Sequence, residues 1–374
     1  MGVSEVDAVS LEEWERINTV EQLRRLEEAT YRPPKTFTSL TKMFEGGHHM
    51  VFVGMTGSGK TTLLLKVIEA LHEEGHRVLY RDDGGREFKY LMTRIPMVIW
   101  VPEGCDLKVY PNGHELEPYE VRQFKSGLDI IPEVFSSPTR FHVLLIDQFY
   151  YHPSQSAPIY ADILQALIFR CMRARESEKL DLVFSIDELN DLVQPKGHEL
   201  TRAHAAVRAL VENNIKKFRK HHVTLIASTH RLNWISVNVR SQFSYTWFKR
   251  SAGKDVYEFI NRNLVRVAPG TFWHVVGELT SMGPEYVYLF DPNKNFDRFT
   301  FSDIPRPDID TEATGLAPGA VGLGFDDRDV AIAALRARGL SIRQIAERVD
   351  LGRSAISNRI KKMKMIPVLA EVLE

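Results

Sequence analysis

Residues 54–62 read GMTGSGKTT, which satisfies G-x-x-x-x-G-K-[ST] with Gly54, Gly59, Lys60 and Thr61. The spacing has a chemical meaning. The glycines let successive backbone N–H groups curl round phosphate oxygens, Lys60 reaches the terminal phosphates, and Thr61 offers a hydroxyl to magnesium. A helix that starts at the loop aims its positive end at the same anion. The expected ligands are ATP and Mg2+. The expected nucleotide contacts are Gly54, Thr56, Gly57, Ser58, Gly59, Lys60, Thr61 and Thr62.

Hydrolysis also needs an acidic residue at a strand end. The run DLVFSIDEL supplies one: Leu182, Val183, Phe184 and Ile186 make a buried strand that ends on Asp187 and Glu188. Asp187 is the expected magnesium ligand with Thr61, and Glu188 the general base that polarises the attacking water. The run LLID, ending at Asp147, is the alternative. No second acid follows it, so Asp187 and Glu188 are preferred.

The elements that must hold these residues can be read from the pattern. Met50–Val53 is a strand before the loop and Thr62–Ala70 a helix after it. Further apolar runs at 77–80, 97–101, 143–147, 182–187 and 223–228 alternate with helical patterns at 60–74, 160–175 and 201–220. Alternation of this kind implies an α/β domain with a mostly parallel sheet covered on both faces. The runs 245–248, 271–276 and 286–290 read as added strands, antiparallel at an edge, while 102–140 fits no class. Residues 1–40 read as a polar helical arm over Ser10–Thr30, ended by Pro33 and Pro34. The α/β domain then spans 41–301, a Pro- and Gly-rich linker 302–325, and a small all-α domain 326–374.

Several segments after the loop occur in the order found in the FtsK/HerA superfamily of DNA-pumping ATPases, which the chain resembles over roughly 45–250. They are VLYRDDGGREF (78–88), with Asp83, Glu87 and Phe88 at the family's spacing; the Asp187-Glu188 pair; a long helix ending KKFRKHH (216–222); the strand VTLIASTH (223–230); and VRSQF (239–243). The resemblance implies a RecA-like P-loop NTPase core, with Asp83 near the nucleotide. The family's sensor glutamine falls on His230, whose residue type changes charge near neutral pH; Ser228 or Thr229 could share that role. It also implies a ring, a pentamer or hexamer, with ATP between subunits and a neighbour's arginine on the terminal phosphate. Arg219 is the first candidate and Arg240 the second. Such a finger is worth on the order of 10³ in rate.

SIRQIAERVDLGRSAISNRIKKM, Ser341–Met363, reads as a helix-turn-helix. Ile342, Ile345, Ala346 and Val349 form one apolar stripe, Asp350-Leu351-Gly352 the turn, and Ile356 and Ile360 the inner face of the second helix. Val330–Arg338 would be the helix before it. Outward lie Arg353, Ser354, Ser357, Asn358 and Lys361, the expected DNA contacts. Seven basic residues against two acidic ones give 341–364 a charge of +5, on a chain whose net charge is −1. Phosphate contacts and short polar groups at base edges are what a recognition helix needs. Units of this pattern also bind proteins.

Bulk composition bounds the rest. With 374 residues, 44% of them apolar, two or three domains with a sizeable core are expected. Cys105 and Cys171 make neither a disulfide framework nor a zinc site, and the adjacent pairs His48-His49 and His221-His222 are poor metal sites. No apolar stretch of 18 residues exists, so a membrane span is not expected and a membrane role would need an anchored partner. A cytoplasmic protein fits, virion-associated if its source is a virus. Three readings stay open: an ATP-driven double-stranded DNA translocase of the viral or plasmid genome-packaging kind, with a capsid partner; an ATP-switched DNA-binding regulator; and a phage assembly ATPase.

Overall fold

In the computed structural model, the described residues are 35–36, 47–84, 86–150, 153–175, 177–263, 269–292, 296–300, 303–315, 332, 336, 340–349 and 353–364. Short runs of consecutive apolar residues build the sheet. The strands are β1 (Lys35–Thr36), β2 (His49–Val53), β3 (Arg77–Arg81), β4 (Met97–Pro102), β5 (Asp106–Tyr110), β6 (Tyr119–Phe124), β7 (Phe141–Leu144), β8 (Leu182–Ile186), β9 (Val223–Thr229), β10 (Phe243–Phe248), β11 (Tyr286–Phe290), β12 (Phe296–Thr300) and β13 (Asp310–Thr314). Eleven of them form one sheet in the order β1-β12-β11-β10-β2-β9-β8-β3-β7-β4-β6; β13 and β5 pair separately. From β10 to β6 every neighbouring pair is parallel.

β2, β4, β7, β8 and β9 are buried at every position, as a sheet covered on both faces requires. Successive residues alternate between faces. Val51, Val53, Leu79, Phe184 and Leu225 join one large cluster with the helices Pro153–Arg173 and Arg202–Lys220. The helix Lys60–Glu73, buried through Leu64, Ile68 and Leu71, packs on β2, β3 and β9 outside that cluster.

Three expectations are corrected. Thr271–Val276 is no strand but part of the helix Pro269–Ser281. Its β-branched and aromatic residues suggest a strand, yet Val275, Leu279 and Met282 are buried at helical spacing. The strand at 245–248 is β10, and it is parallel to β2 rather than at an antiparallel edge; β11 is antiparallel as expected. The stretch 303–315 is not a linker. Ile304 and Ile309 are buried, Lys89 donates to the Ile309 carbonyl at 2.7 Å, and Asp310–Thr314 pairs with β5. Two buried isoleucines outweigh the prolines around them.

The unclassified stretch 102–140 supplies β5, the edge strand β6 and the helix Gly127–Ser136, whose Ser126 and Asp129 form a capping box. The expected arm at 10–30 lies outside the described residues.

The chain divides into units 1–315 and 316–374. In the second, Ile342–Val349 and Arg353–Lys364 are helices, and Ile345, Ile356 and Ile360 are buried. Ser341 and Gln344 cap the first of them reciprocally. Ser354 and Asn358 are exposed and Ser357 is half-buried. The side chains of Arg353 and Lys361, the turn 350–352 and most of 330–338 lie outside the described residues.

Candidate active site

Four neighbouring parallel strands, β2, β9, β8 and β3, end on the same edge of the sheet. The segments that follow them are the phosphate loop, His230, the Asp187-Glu188 pair and the loop 82–88. Ligands of open parallel sheets bind at this carboxyl edge. A cavity of about 650 Å3 opens there, lined among others by Thr56, Gly57, Gly59, Lys60, Thr61, Thr62, Glu87, Glu188 and His230.

The loop is shaped by two glycines in particular. Gly59 caps the Lys60–Glu73 helix with φ +82°, a left-handed conformation that side chains resist. A Cβ on Gly54 would sit 2.5 Å from Ser58 Oγ and 2.8 Å from Lys249 Cβ. Ser58 is buried against Gly54 and its hydroxyl has no protein partner.

Lys60 is nearly fully buried and lies between the acids. Its ammonium makes a short bond to Glu188 Oε1 and stands 3.9 Å from Asp187 Oδ1. It also donates to Ser228 Oγ at 3.2 Å. Ser228 is saturated: it accepts from Lys60 and from the Glu188 N–H at 2.9 Å, and gives its one proton to Asp187 Oδ1. Thr229 turns away, to Asn190 and the Arg231 carbonyl.

Glu188 sits at φ +50°, an arrangement that costs an L-residue about 1–2 kcal/mol. Its second oxygen, Oε2, is buried with no protein partner. A carboxylate with one oxygen anchored and the other unsatisfied can take a proton from a water placed before it. His230 stands beside it, with Nε2 3.2 Å from Glu188 Oε1 and Nδ1 3.2 Å from the Gly54 carbonyl.

The donor set suits magnesium. The hydroxyl of Thr61 would hold it directly and the carboxylate of Asp187, which lies behind the cavity lining, through a water, since this ion takes one or two protein ligands and completes its shell with phosphate and water. Among the described residues no cluster of three or more His, Cys, Asp or Glu could hold a metal unaided.

Asp83 and Asp147 are used differently from their sequence readings. Neither lines the cavity. Both bind Arg81, a fully buried arginine that sequence reasoning passed over. Its guanidinium donates to Asp147 Oδ2 at 3.0 Å, Asp83 Oδ1 at 2.6 Å and the Asp187 carbonyl at 2.6 Å. Asp147 also accepts from Ser156 and Tyr160, both at 2.6 Å. Glu87 takes the place expected of Asp83 at the cavity. It is put there by Asp82, which accepts the N–H groups of Glu87 and Phe88 at 2.9 and 2.8 Å. Burial pushes the Asp82 carboxyl up to about 7.

Arg219 is exposed at the end of its helix, beside Gly47, where β2 begins. That is the opposite edge of the sheet from the phosphate loop, outside the chain's own cavity. Arg240 is tied to Asn233. His49 is held between the Ile215 carbonyl and the Leu225 N–H. Burial lowers it to about 4, so it is a neutral core residue.

No family model and no curated sequence matches this chain. Solved structures with a similar arrangement include the genome packaging NTPase B204 from Sulfolobus turreted icosahedral virus 2 in complex with AMPPCP. It is 13% identical, over 68% of this chain and 98% of that one, with a TM-score of 0.41. VirB4 of Thermoanaerobacter pseudethanolicus is 11% identical over 69% and 90%, with a TM-score of 0.46. The bacterial conjugative coupling protein TrwB is 10% identical over 76% and 91%, also with a TM-score of 0.46.

Two stability measurements test the site's framework. Arg81→Met strips Asp147, whose side chain is only 15% exposed, of its buried cation, and urea unfolding should show a loss of about 3–5 kcal/mol. A loss under about 1 kcal/mol would mean that the two hydroxyls suffice. Asp82→Asn keeps an acceptor for the two N–H groups without the charge. The folded carboxyl titrates near 7, well above the unfolded one, so from about pH 4 to 7 the unfolded chain ionises first and wild-type stability falls. The gain from Asn should grow over that window and level off above it; a gain that does not change with pH would refute the assignment.

Proposed function

We propose that this chain is an ATPase that drives double-stranded DNA, of the genome-packaging kind, acting as a ring of five or six copies. The observation that carries the ATPase is the cluster at the strand ends: Lys60 on Glu188 and Ser228, with one Glu188 oxygen unsatisfied. Mg2+ and ATP complete it. In the reaction, Lys60 and the loop hold the terminal phosphates and Glu188 accepts a proton from the attacking water. Asp187 and Thr61 orient the ion, and His230 steadies Glu188 at the place of the family's sensor glutamine.

The motor reading rests on the order of segments from 78 to 243 and on the basic helical tail. A ring supports a role for Arg219. An exposed arginine outside its own cavity is what a finger acting on a neighbour's nucleotide requires. The second unit supplies the DNA contacts as a helix-turn-helix, through Arg353, Ser354, Ser357, Asn358 and Lys361. A capsid or a membrane-anchored protein is the further partner in this reading. The working site is the cytoplasm, or the virion for a viral protein.

Steady-state ATPase assays with and without duplex DNA test this. Duplex DNA should raise turnover several-fold. Glu188→Gln should cut it by about 10² or more while ATP still binds, and Arg219→Ala should abolish it with binding intact. No stimulation by any DNA would remove the motor reading, and unchanged turnover in Glu188→Gln would remove the catalytic one.

A further inference from the structure

Only part of the cavity is built from the expected motifs. Beyond them the lining is Pro284, Glu285, Asp303 and Arg306. Asp303 and Arg306 come from the stretch whose composition suggested a linker. That stretch is fixed to the first unit at three places: Ile304 and Ile309 are buried, Lys89 holds the Ile309 carbonyl, and Asp310–Thr314 pairs with β5. It forms a strap that brings a cation to the cavity.

Arg306 donates to Thr62 Oγ1 at 3.3 Å, one residue past the expected magnesium ligand on the phosphate-loop helix. Its guanidinium is 5.7 Å from the Tyr90 ring centre. The nearest acid in an ion pair with it is Asp303 at 3.9 Å, and the side chain is more than half exposed. Lys60, by contrast, is buried and matched by Asp187 and Glu188. The cavity therefore carries two cations at different places. Lys60 marks the end where Glu188 and His230 converge, the end for the phosphate that is cleaved. Arg306 marks the side of Thr62, further along the helix.

We infer that Arg306 binds the nucleoside-proximal phosphate of the nucleotide in its own subunit, and that nucleotide binding fastens the 303–315 strap over the site. This rests on the ATP reading above. A triphosphate whose terminal group meets Lys60 extends toward Thr62, and Arg306 already reaches that hydroxyl. ADP and ATP share this phosphate, so Arg306 is a binding residue rather than a catalytic one, and its contribution is the same in ground and transition states.

The test uses the full chain. Calorimetry of Mg-ADP and Mg-ATPγS binding should show both weakened about tenfold or more in Arg306→Ala, the worth of one charge-assisted hydrogen bond. Arg306→Lys should recover part of the loss. Binding of magnesium pyrophosphate, which has no nucleoside-proximal phosphate, should change less than twofold. In hydrogen exchange, ADP should protect 303–315 in the wild type and not in Arg306→Ala. Because Arg306 is mostly exposed, the variant should unfold at the wild-type urea midpoint. Equal ADP affinity in wild type and variant, or an equal loss for pyrophosphate, overturns the assignment. A wild-type chain that binds neither nucleotide overturns the ATP reading, and this inference with it.

Discussion

A single buried guanidinium ties together the strand ends on which the site is built. Arg81 closes β3, and from there it holds Asp147 after β7 and the carbonyls of Asp187 and Glu188 after β8. An arginine suits this place because its planar fork can serve acceptors in several directions and stays charged when buried. Around it the carboxylates of Asp147 and Asp83 supply compensating charge, and the ring of Tyr160 lies 5.1 Å away. The carbonyls of Asp187 and Glu188 are fixed where the chain turns through a left-handed residue. The two acids can then face the phosphate loop with their side chains while their backbone faces Arg81.

That division of labour explains how the cavity keeps its charges in balance. Lys60 is the cation of the catalytic end, and Asp187 and Glu188 are its counter-ions, with Ser228 linking all three. A buried ammonium without partners would be costly. Phosphate oxygens compete for the same ammonium. On the proposed ATPase reading, their arrival would loosen the hold of Lys60 on Glu188 and leave that carboxylate to the water and to His230.

Much of this was legible because local chemistry demands it. A phosphate loop needs its glycines in order, and a buried parallel strand needs a run of apolar residues, so Gly54–Thr62 and Leu182–Glu188 stand out. Tertiary partners were not legible. Arg81 looks like one more charged residue in YRDD, since nothing local shows that Asp147, 66 positions later, comes to meet it. Asp83 and Glu87 share one segment, and only the two hydrogen bonds from Asp82 decide which faces the cavity. Thr271–Val276 has strand-forming residue types, and packing overrode them. The stretch 303–315 has the prolines of a linker, and its buried isoleucines are too few to register as a pattern.

Lys249 carries that point to the phosphate loop itself. It follows β10 directly and is fully buried, and its ammonium donates to the carbonyls of Pro284 and Tyr286, the latter at 2.8 Å. Burial brings it down to about 7. Its Cβ lies where a side chain on Gly54 would go, and its Cε would stand 3.5 Å from a Cβ on Gly59. The next residue accepts the Met55 N–H through its carbonyl at 3.0 Å. The loop is therefore shaped from two sides. Phosphate chemistry asks for glycines that open the backbone to an anion, and the end of β10 asks for a glycine at 54 because it leaves no room for a Cβ. The first demand is written in the motif. The second depends on a lysine almost two hundred residues away, and it makes the loop's conformation a property of the assembled sheet rather than of the ligand.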